Sequence, residues 1–347
     1  MSACYVAIDS GGSRTNTELV IERDGEEDIH RRFEVADAMS GYLPVGQYPA
    51  TLRKILAPVE AHLQQRDEDD GLPVHIFVSA AGFASSTRDK FTRALVEVAS
   101  EAFGGNVKAV GAANDSVTLL LGLDVNGVVI AGTGSAVLVR SPDGEIHQTS
   151  GHEWVASDFG SGVWIGLNAI RRAAHDFEEG GQTVLLNRFQ ELFGIEQGDD
   201  EGLLARFRSL GVADQRMKAD IARFATSVCA AAELGDIDAQ DIVKAEAEEL
   251  ADSTAGAIRR WLPRSQLTEG IDLVQCGGVL ANTFYRTAFE AQVAIRLLGG
   301  SDNPSAIRWT RVNNILDASM VLAHRVAADP DSILSVAPPF KPIALQF

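Results

Sequence analysis

Two short loops of glycine, serine and threonine stand between apolar segments that have the composition of β-strands. The first loop is 10–16 (Ser-Gly-Gly-Ser-Arg-Thr-Asn) and the second is 132–135 (Gly-Thr-Gly-Ser). Glycine lets the backbone turn tightly and places no Cβ between its N–H groups and an approaching anion. Successive exposed N–H groups with flanking hydroxyls form a cradle for phosphate oxygens. Either loop alone has the composition of an ordinary hairpin turn, but the pair predicts a nucleotide held between two similar lobes. The candidate phosphate contacts are Gly11, Gly12, Ser13, Thr15, Gly132, Thr133, Gly134 and Ser135.

Two aspartates follow apolar strand segments and are candidates for phosphoryl-transfer chemistry. Asp9 ends the first strand, where a carboxylate suits a water-linked Mg²⁺ ion; the alternative is a turn cap. Asp115 follows the segment 107–110 and opens a helix, so it or Asn114 fits the role of an N-cap. Phosphoryl transfer needs a carboxylate beside the attacking hydroxyl, and Asp115 is therefore also the candidate general base.

The segment 151–166 combines two tryptophans, a histidine, two acids and small residues directly before a long predicted helix. Asp158, Glu153 and His152 are candidate acceptors for sugar hydroxyls, and the N–H groups at the helix N-terminus are candidate hydrogen-bond donors to phosphate oxygens. Taken alone, His152 is more typical of a polar residue whose hydrogen bonds are made within the protein than of a sugar contact. Further on, Gly277 and Gly278 join a strand to a helix and would let a flat base approach the backbone, although a plain turn has the same composition.

The elements around these residues predict an α/β protein with a duplicated architecture. Three antiparallel strands followed by helix-and-strand units occur twice, and the second copy carries a helical insertion at about 163–263. The predicted domains are 1–118 and 119–330, followed by a C-terminal tail over 331–347 that begins near a proline-rich stretch.

Composition excludes several classes of function. The chain has 347 residues, 46% of them hydrophobic, which suits two ordinary domains. Its net charge of −18 repels nucleic acid and anionic membranes. No apolar run approaches the roughly 20 residues of a membrane span, and the N-terminus lacks the pattern of a signal peptide. Three scattered cysteines indicate buried thiols in a reducing compartment, so we expect a cytoplasmic protein.

In this order and spacing, the segments resemble the N-acetylglucosamine kinase-like branch of the BadF/BadG/BcrA/BcrD ATPase family, within the actin, Hsp70 and sugar kinase superfamily. The resemblance implies a duplicated ribonuclease-H-like fold, with two lobes around a nucleotide cleft, and ATP- and Mg²⁺-dependent phosphorylation of a hexose or amino sugar. It assigns 10–15 and 132–135 to the phosphate motifs and 277–279 to the adenosine motif. It also assigns the metal acid to Asp9 and the sugar motif to 158–166. It assigns the catalytic segment to Asn114 and Asp115, with Asp115 as the catalytic residue and Asn114 as a substrate contact.

Three departures from the family pattern lie on the sugar side. Phe159 replaces a glutamate, the segment 150–153 reads Ser-Gly-His-Glu instead of Gly-Gly-Trp-Gly, and Gly41 stands where an asparagine contacts the N-acetyl group. Because of these departures, a non-catalytic ATP- or sugar-sensing protein remains an alternative. A second alternative is an acyl-CoA dehydratase activator, but its iron–sulfur cluster needs a suitably placed cysteine pair. The sequence is also compatible with a homodimer.

Overall fold

The computed structural model describes residues 2–11, 14–39, 43–66, 69, 71–81, 83–211, 215–299, 306–334, 336 and 340–347, excluding the side chains of 215 and 216. The chain forms two compact units. The first comprises Met1–Val125, Arg140–Ile146 and Asn314–Phe347, and the second Asn126–Val139 and His147–Asn313. Across the described ranges, no helix has the length and apolarity to cross a membrane.

The first unit is built on a six-stranded sheet with the order β11-β5-β4-β1-β2-β3. Strands β1, β2 and β3 form an antiparallel meander, and β1, β4 and β5 are parallel. Parallel strands need crossovers, and helices of this unit supply them. The strands are β1 (Ala3–Ser10), β2 (Thr15–Glu22), β3 (Ile29–Val35), β4 (Val74–Ala80), β5 (Val107–Ala113) and β11 (Ile343–Gln346).

Apolar side chains at helical spacing pack on this sheet. In the helix that spans 48–64, Leu52, Ile55, Leu56 and Val59 are fully buried and join one face of the strands in a single core. The helices of the first unit are α1 (Tyr48–Gln64), α2 (Arg88–Phe103), α3 (Asp115–Gly122), α12 (Leu316–Ala328) and α13 (Asp331–Leu334).

The second unit repeats the same strand order. Its sheet runs β10-β9-β6-β7-β8, with β6 antiparallel to β7 and parallel to β9, and β9 parallel to β10. In this order the five strands correspond to β5, β4, β1, β2 and β3 of the first sheet. The architecture is therefore duplicated, as the sequence predicts. The strands are β6 (Gly127–Ala131), β7 (Ser135–Arg140), β8 (Ile146–Thr149), β9 (Ile271–Cys276) and β10 (Ile307–Val312).

Helices fill the connection between β8 and β9, at the predicted insertion, and their apolar faces share one core with the second sheet. A Cβ at Gly166 would overlap the Ile221 carbonyl oxygen, so this glycine sets the close approach of the helices at 162–178 and 215–233. The helices of the second unit are α4 (Gly162–Glu178), α5 (Val184–Phe193), α6 (Asp200–Ser209), α7 (Gln215–Glu233), α8 (Ile237–Trp261), α9 (Arg264–Glu269), α10 (Gly278–Ala281) and α11 (Thr283–Leu298).

The C-terminal part of the chain differs from the sequence-based domain assignment. The structure places α12 in the first unit and not in a second domain that ends at 330, and the stretch assigned to a tail contains α13 and β11. The physical reason is non-local packing. A Cβ at Gly122 would lie 2.6 Å from the Ala318 carbonyl oxygen, so two small residues bring α3 and α12 together. Strand β11 then pairs antiparallel with β5.

We expect the strand at 343–346 to contribute measurably to stability. Ile343 is 2% exposed, whereas Leu345 on the same strand is 37% exposed. The variant Ile343→Ala should lower the free energy of unfolding by about 2–5 kcal/mol through the cavity it leaves. The matched control Leu345→Ala should cost about 0.5 kcal/mol or less. Urea unfolding of the three proteins measures both values, and equal losses would contradict the strand's role in the core.

Candidate functional site

The first glycine-rich loop closes on itself. The Gly11 N–H donates to the Arg14 carbonyl at 3.1 Å, which completes the hairpin between β1 and β2. Thr15 is fully buried, and its hydroxyl bonds to the Ser10 hydroxyl and the Asp37 carbonyl, each at 2.8 Å. The structure thus makes Thr15 a brace for the loop rather than an exposed phosphate contact. Gly12, Ser13 and Gly41 lie outside the described residues.

Strand register brings Asp9 and Asp115 to one edge of the first sheet. Asp9 pairs with Ser79 on β4, Ser79 pairs with Ala113 on β5, and Asp115 follows two residues later. Burial raises the pKa of Asp9 to about 6, the Ile315 N–H opposes that rise, and the negative charge of Asp115 adds to it. The two carboxylates therefore interact electrostatically.

Asn114 and Asp115 open helix α3. The Asn114 side chain is the N-cap: its Oδ1 accepts from the Ser116 N–H at 3.1 Å and from the Ser116 hydroxyl at 2.6 Å. Asp115 Oδ1 accepts from the same N–H at 2.7 Å. Burial raises the pKa of Asp115, and the backbone N–H groups partly offset that rise. Asn114 thus has the capping role left open by the sequence, and Asp115 is a poorly solvated carboxylate with the character of a base.

The second glycine-rich loop is bound to the start of α4. The Gly132 carbonyl accepts from the Gly162 N–H at 2.8 Å, and the Thr133 carbonyl accepts from the Val163 N–H at 3.2 Å. These two helix N–H groups, which the sequence assigns to phosphate, are occupied by the loop instead. The Ser135 hydroxyl donates to the Phe159 carbonyl at 2.8 Å and fixes the loop to the segment predicted to bind sugar.

The glycines of the second unit differ in the space around them. Gly277 has φ of 111°, and a Cβ there would overlap the Ala131 carbonyl oxygen, so the glycine holds the start of α10 against the end of β6. A Cβ at Gly132 or Gly278 would meet no atom of the described residues within 4 Å. The space beside the Cα of these two glycines is therefore open, although the Gly132 N–H itself donates to the Gly134 carbonyl at 2.9 Å. The space beside Gly277 is instead filled by the end of β6.

Asp158 lies above the second glycine-rich loop. A Cβ at Gly134 would be 2.7 Å from Asp158 Oδ2. The aspartate has a left-handed φ of 59° and is 4% exposed. Burial raises the pKa of its carboxyl, and the negative charge of Glu153 adds to that rise. The pKa is lowered by the positive charge of Lys218 and by hydrogen bonds from the Ser157 hydroxyl and the Gly151 N–H. A substituent at Gly134 would displace this carboxylate.

Lys218 on α7 contacts two of these candidate residues, and the sequence analysis missed it. Its ammonium lies 2.7 Å from Glu153 Oε2 and 3.7 Å from Asp158 Oδ2. Glu153 also has a left-handed φ of 75°, and its carbonyl accepts from the Ala156 and Ser157 N–H groups. Glu153 and Lys218 are 65 residues apart, so no local pattern marks the lysine. His152 is exposed, and its backbone N–H donates to the Ser157 hydroxyl at 2.9 Å.

A buried clamp, also missed by the sequence analysis, holds the loop beside Asp158. Glu246 on α8 accepts from the Gly160 N–H at 2.8 Å and from the Asn168 amide at 2.6 Å. The Tyr285 hydroxyl donates to the Gly160 carbonyl at 2.7 Å. Both polar groups of the Gly160 backbone are therefore fixed from outside the loop.

Phe159, the departure in the sugar motif, packs on a neighbouring tryptophan. Its ring centroid lies 5.0 Å from that of Trp164, whose indole N–H donates to the Ser157 carbonyl at 2.9 Å. The side chain thus contributes apolar packing at a position where the resemblance implies a carboxylate.

A comparison with protein-family models decides the family. The model of the BadF/BadG/BcrA/BcrD ATPase family matches residues 6–306. The chain belongs to this family. The predicted resemblance is confirmed, and with it the use of ATP as the nucleotide.

Relatives agree with this assignment. The chain is 27% identical over 213 residues to an N-acetylmuramic acid/N-acetylglucosamine kinase of Clostridium acetobutylicum, covering 60% of this chain and 65% of the relative. The match thus spans slightly less than two thirds of that protein.

Two solved structures, both provisionally named N-acetylglucosamine kinases, share the fold. The protein from Porphyromonas gingivalis superimposes with a TM-score of 0.64 at 15% identity, over 94% of this chain and 99% of its own. The protein from Chromobacterium violaceum gives 0.61 at 19% identity, over 92% and 98%. These structures confirm the predicted actin-like ATPase fold.

We expect Glu246 to make stability depend on pH. Burial raises its pKa from 4.5 to about 7. The folded state then binds more protons than the unfolded state between these values, so ionisation lowers the free energy of unfolding as the pH rises through this window. Glu246→Gln lacks this pH-dependent loss. From about pH 4.5 to above pH 7, the free energy of unfolding of the variant relative to that of wild type should therefore rise by about 3 kcal/mol.

Urea unfolding across this range measures the difference. The amide of Glu246→Gln can accept hydrogen bonds through one oxygen, whereas the carboxylate accepts through two. We therefore expect the variant also to lose free energy of unfolding by an amount that does not change with pH. A difference that stays constant with pH would contradict the assignment of the titration to Glu246.

Proposed function

We propose that this protein is an ATP-dependent kinase that transfers the γ-phosphoryl group to a hydroxyl of a hexose or amino sugar. The observation that carries the proposal is Asp115, a carboxylate with a burial-raised pKa at the sheet edge where β1 and β5 end. It has the character of a general base, and Asp9 lies close enough to interact with its charge. The names of the kinase relatives support the same activity.

Asp115 would take the proton of the attacking hydroxyl. A carboxyl with a raised pKa is a stronger base than an exposed aspartate, which suits proton transfer. The Asn114 cap and the Ser116 N–H fix the first turn of α3, so the carboxylate position follows from the helix start. The second glycine-rich loop has open space beside the Gly132 Cα, although the Gly132 N–H is bonded within the loop, and it would hold phosphate oxygens.

Asp9 fits a Mg²⁺ ion. Its carboxylate is partly buried, its pKa rises to about 6, and the nearby negative charge of Asp115 leaves the pair in need of a cation. Mg²⁺ binds through one or two carboxylates and keeps several waters. The ion would neutralise charge on the phosphates of ATP. Among the described residues no cluster of three metal-binding side chains occurs, so an Asp9-based site would rely on water and substrate oxygens.

The two alternatives have less support. All three cysteines of the chain are buried, which does not suit a cluster shared between two subunits of a dehydratase activator. A non-catalytic sensor would have no need of a half-buried carboxylate with a raised pKa such as Asp115. An ATP-consumption assay over a panel of hexoses and amino sugars tests the kinase against both: the kinase requires sugar-dependent turnover and a sugar phosphate as product.

We expect Asp115→Asn to abolish most turnover. Asparagine keeps the size and much of the hydrogen bonding but is no base, so the rate should fall by roughly 10²–10⁴-fold with ATP binding retained. The control is Asp317→Asn, an exposed acid in the first turn of α12 that should leave the rate unchanged. If Asp115→Asn turned over at the wild-type rate, Asp115 would not be the general base and would have only a structural role at the start of α3.

We also expect no strong preference for N-acetylglucosamine over other hexoses. Gly41 offers no side-chain partner for an acetamido group, and Phe159 cannot accept from a sugar hydroxyl. Strong discrimination needs polar groups that the wrong substrate leaves unpaired. Asp158, with Glu153 and His152, would instead favour a free amine or an unmodified hydroxyl.

The measurement is kcat/KM for glucosamine, glucose and N-acetylglucosamine. A preference for the acetylated sugar of about a hundredfold or more would show that the recognition loop lies elsewhere.

A further inference from the structure

Lys218 projects from the helical insertion to the sugar motif of the second unit. Its side chain is 14% exposed, and its ammonium contacts Glu153 at 2.7 Å and Asp158 at 3.7 Å. The same ammonium would lie 3.9 Å from a Cβ at Gly134. A lysine, two carboxylates and the second glycine-rich loop therefore form one cluster.

Asp158 needs such a partner. Its side chain is 5% exposed and stands directly above a loop that is proposed to hold phosphate. Burial disfavours its charge, and so does the negative charge of Glu153. The opposing groups are the Lys218 ammonium, the Ser157 hydroxyl and the Gly151 N–H. Glu246 on α8 and Tyr285 on α11 reach the loop two residues further on, at Gly160.

We propose that Lys218 is a positioning residue that holds Asp158 ionised above Gly134, so that this carboxylate accepts a hydroxyl of the sugar. The inference deepens the proposed function and rests on it. Lys218 acts through Asp158: it supplies the positive charge that a buried carboxylate next to a phosphate loop requires, and its bond to Glu153 fixes the position of the ammonium. The role is distinct from direct contact between Lys218 and a phosphate group, which would act on ATP and not on the sugar.

The first test titrates Asp158 directly. Carboxyl ¹³C NMR of aspartate-labelled protein, with the signal assigned by its loss in Asp158→Asn, gives the titration midpoint in wild type, Lys218→Met and Lys218→Arg. Removing the charge in Lys218→Met should raise the midpoint by about one pH unit or more. Lys218→Arg should stay close to wild type because it keeps the charge. Lys90→Met, at an exposed lysine of α2, controls for the general loss of a positive charge and should leave the midpoint unchanged.

Glu153→Gln provides a test of opposite sign. Glu153 is a negative neighbour of Asp158, so its neutralisation should lower the midpoint while Lys218→Met raises it. Shifts in opposite directions cannot arise from a general loosening of the loop. An unchanged Asp158 midpoint in Lys218→Met would overturn the proposal, and so would shifts in the same direction.

Kinetics separate the role from phosphate binding. Lys218→Met should raise KM for the sugar most at low pH, where Asp158 protonates first, and the ATP dissociation constant should stay unchanged. A weaker affinity for ATP with an unchanged Asp158 midpoint would assign Lys218 to phosphate contact instead. Thermal melting confirms that each variant is folded. If no sugar supports turnover in wild type, the kinase proposal fails, whereas the NMR titration still reports whether Lys218 governs Asp158.

Discussion

A carboxylate that is removed from water needs a hydrogen bond or a positive charge in place of its hydration. This requirement determines how several carboxylates are held in both units of the protein. An unpaired buried charge is costly, so such a group is hydrogen-bonded, paired or protonated. In a chain with a net charge of −18, backbone N–H groups compensate without any additional charged side chain. Four carboxylates with burial-raised pKa values each accept from such a group: Asp9 from Ile315, Asp115 from Ser116, Asp158 from Gly151 and Glu246 from Gly160.

Because the donors belong to the backbone, the fold determines where each charge can be held. Ile315 directly precedes α12, and Ser116 lies in the first turn of α3, so the two carboxylates of the first unit depend on where those helices begin. The contact of Gly122 with Ala318 sets the spacing of the same two helices. A packing change far from either aspartate would therefore alter the environment of both.

The features that the sequence predicts correctly are those written in local patterns. Strand–glycine loop–strand repeats mark both sheets, and the helical periodicity of about 163–263 marks the insertion. The strand at 343–346 was missed because four residues after a proline-rich stretch gain their structure only by pairing with β5. Lys218 and Glu246 were missed because their partners are 65 and 86 residues away. Thr15 matched a phosphate motif, but its hydroxyl is used inside the protein.

The loop around Phe159, which the sequence predicts to bind sugar, is positioned independently of the side chain at 159. Its position is fixed through main-chain atoms: Ser135 donates to the Phe159 carbonyl, Glu246 accepts from the Gly160 N–H, and the Tyr285 hydroxyl donates to the Gly160 carbonyl. None of these bonds involves the side chain at 159, which instead packs on Trp164. The hydrogen bonds that position this loop therefore do not require a particular side chain at 159. The proposed sugar contacts of this unit are thus separable from the main-chain bonds that hold the second glycine-rich loop.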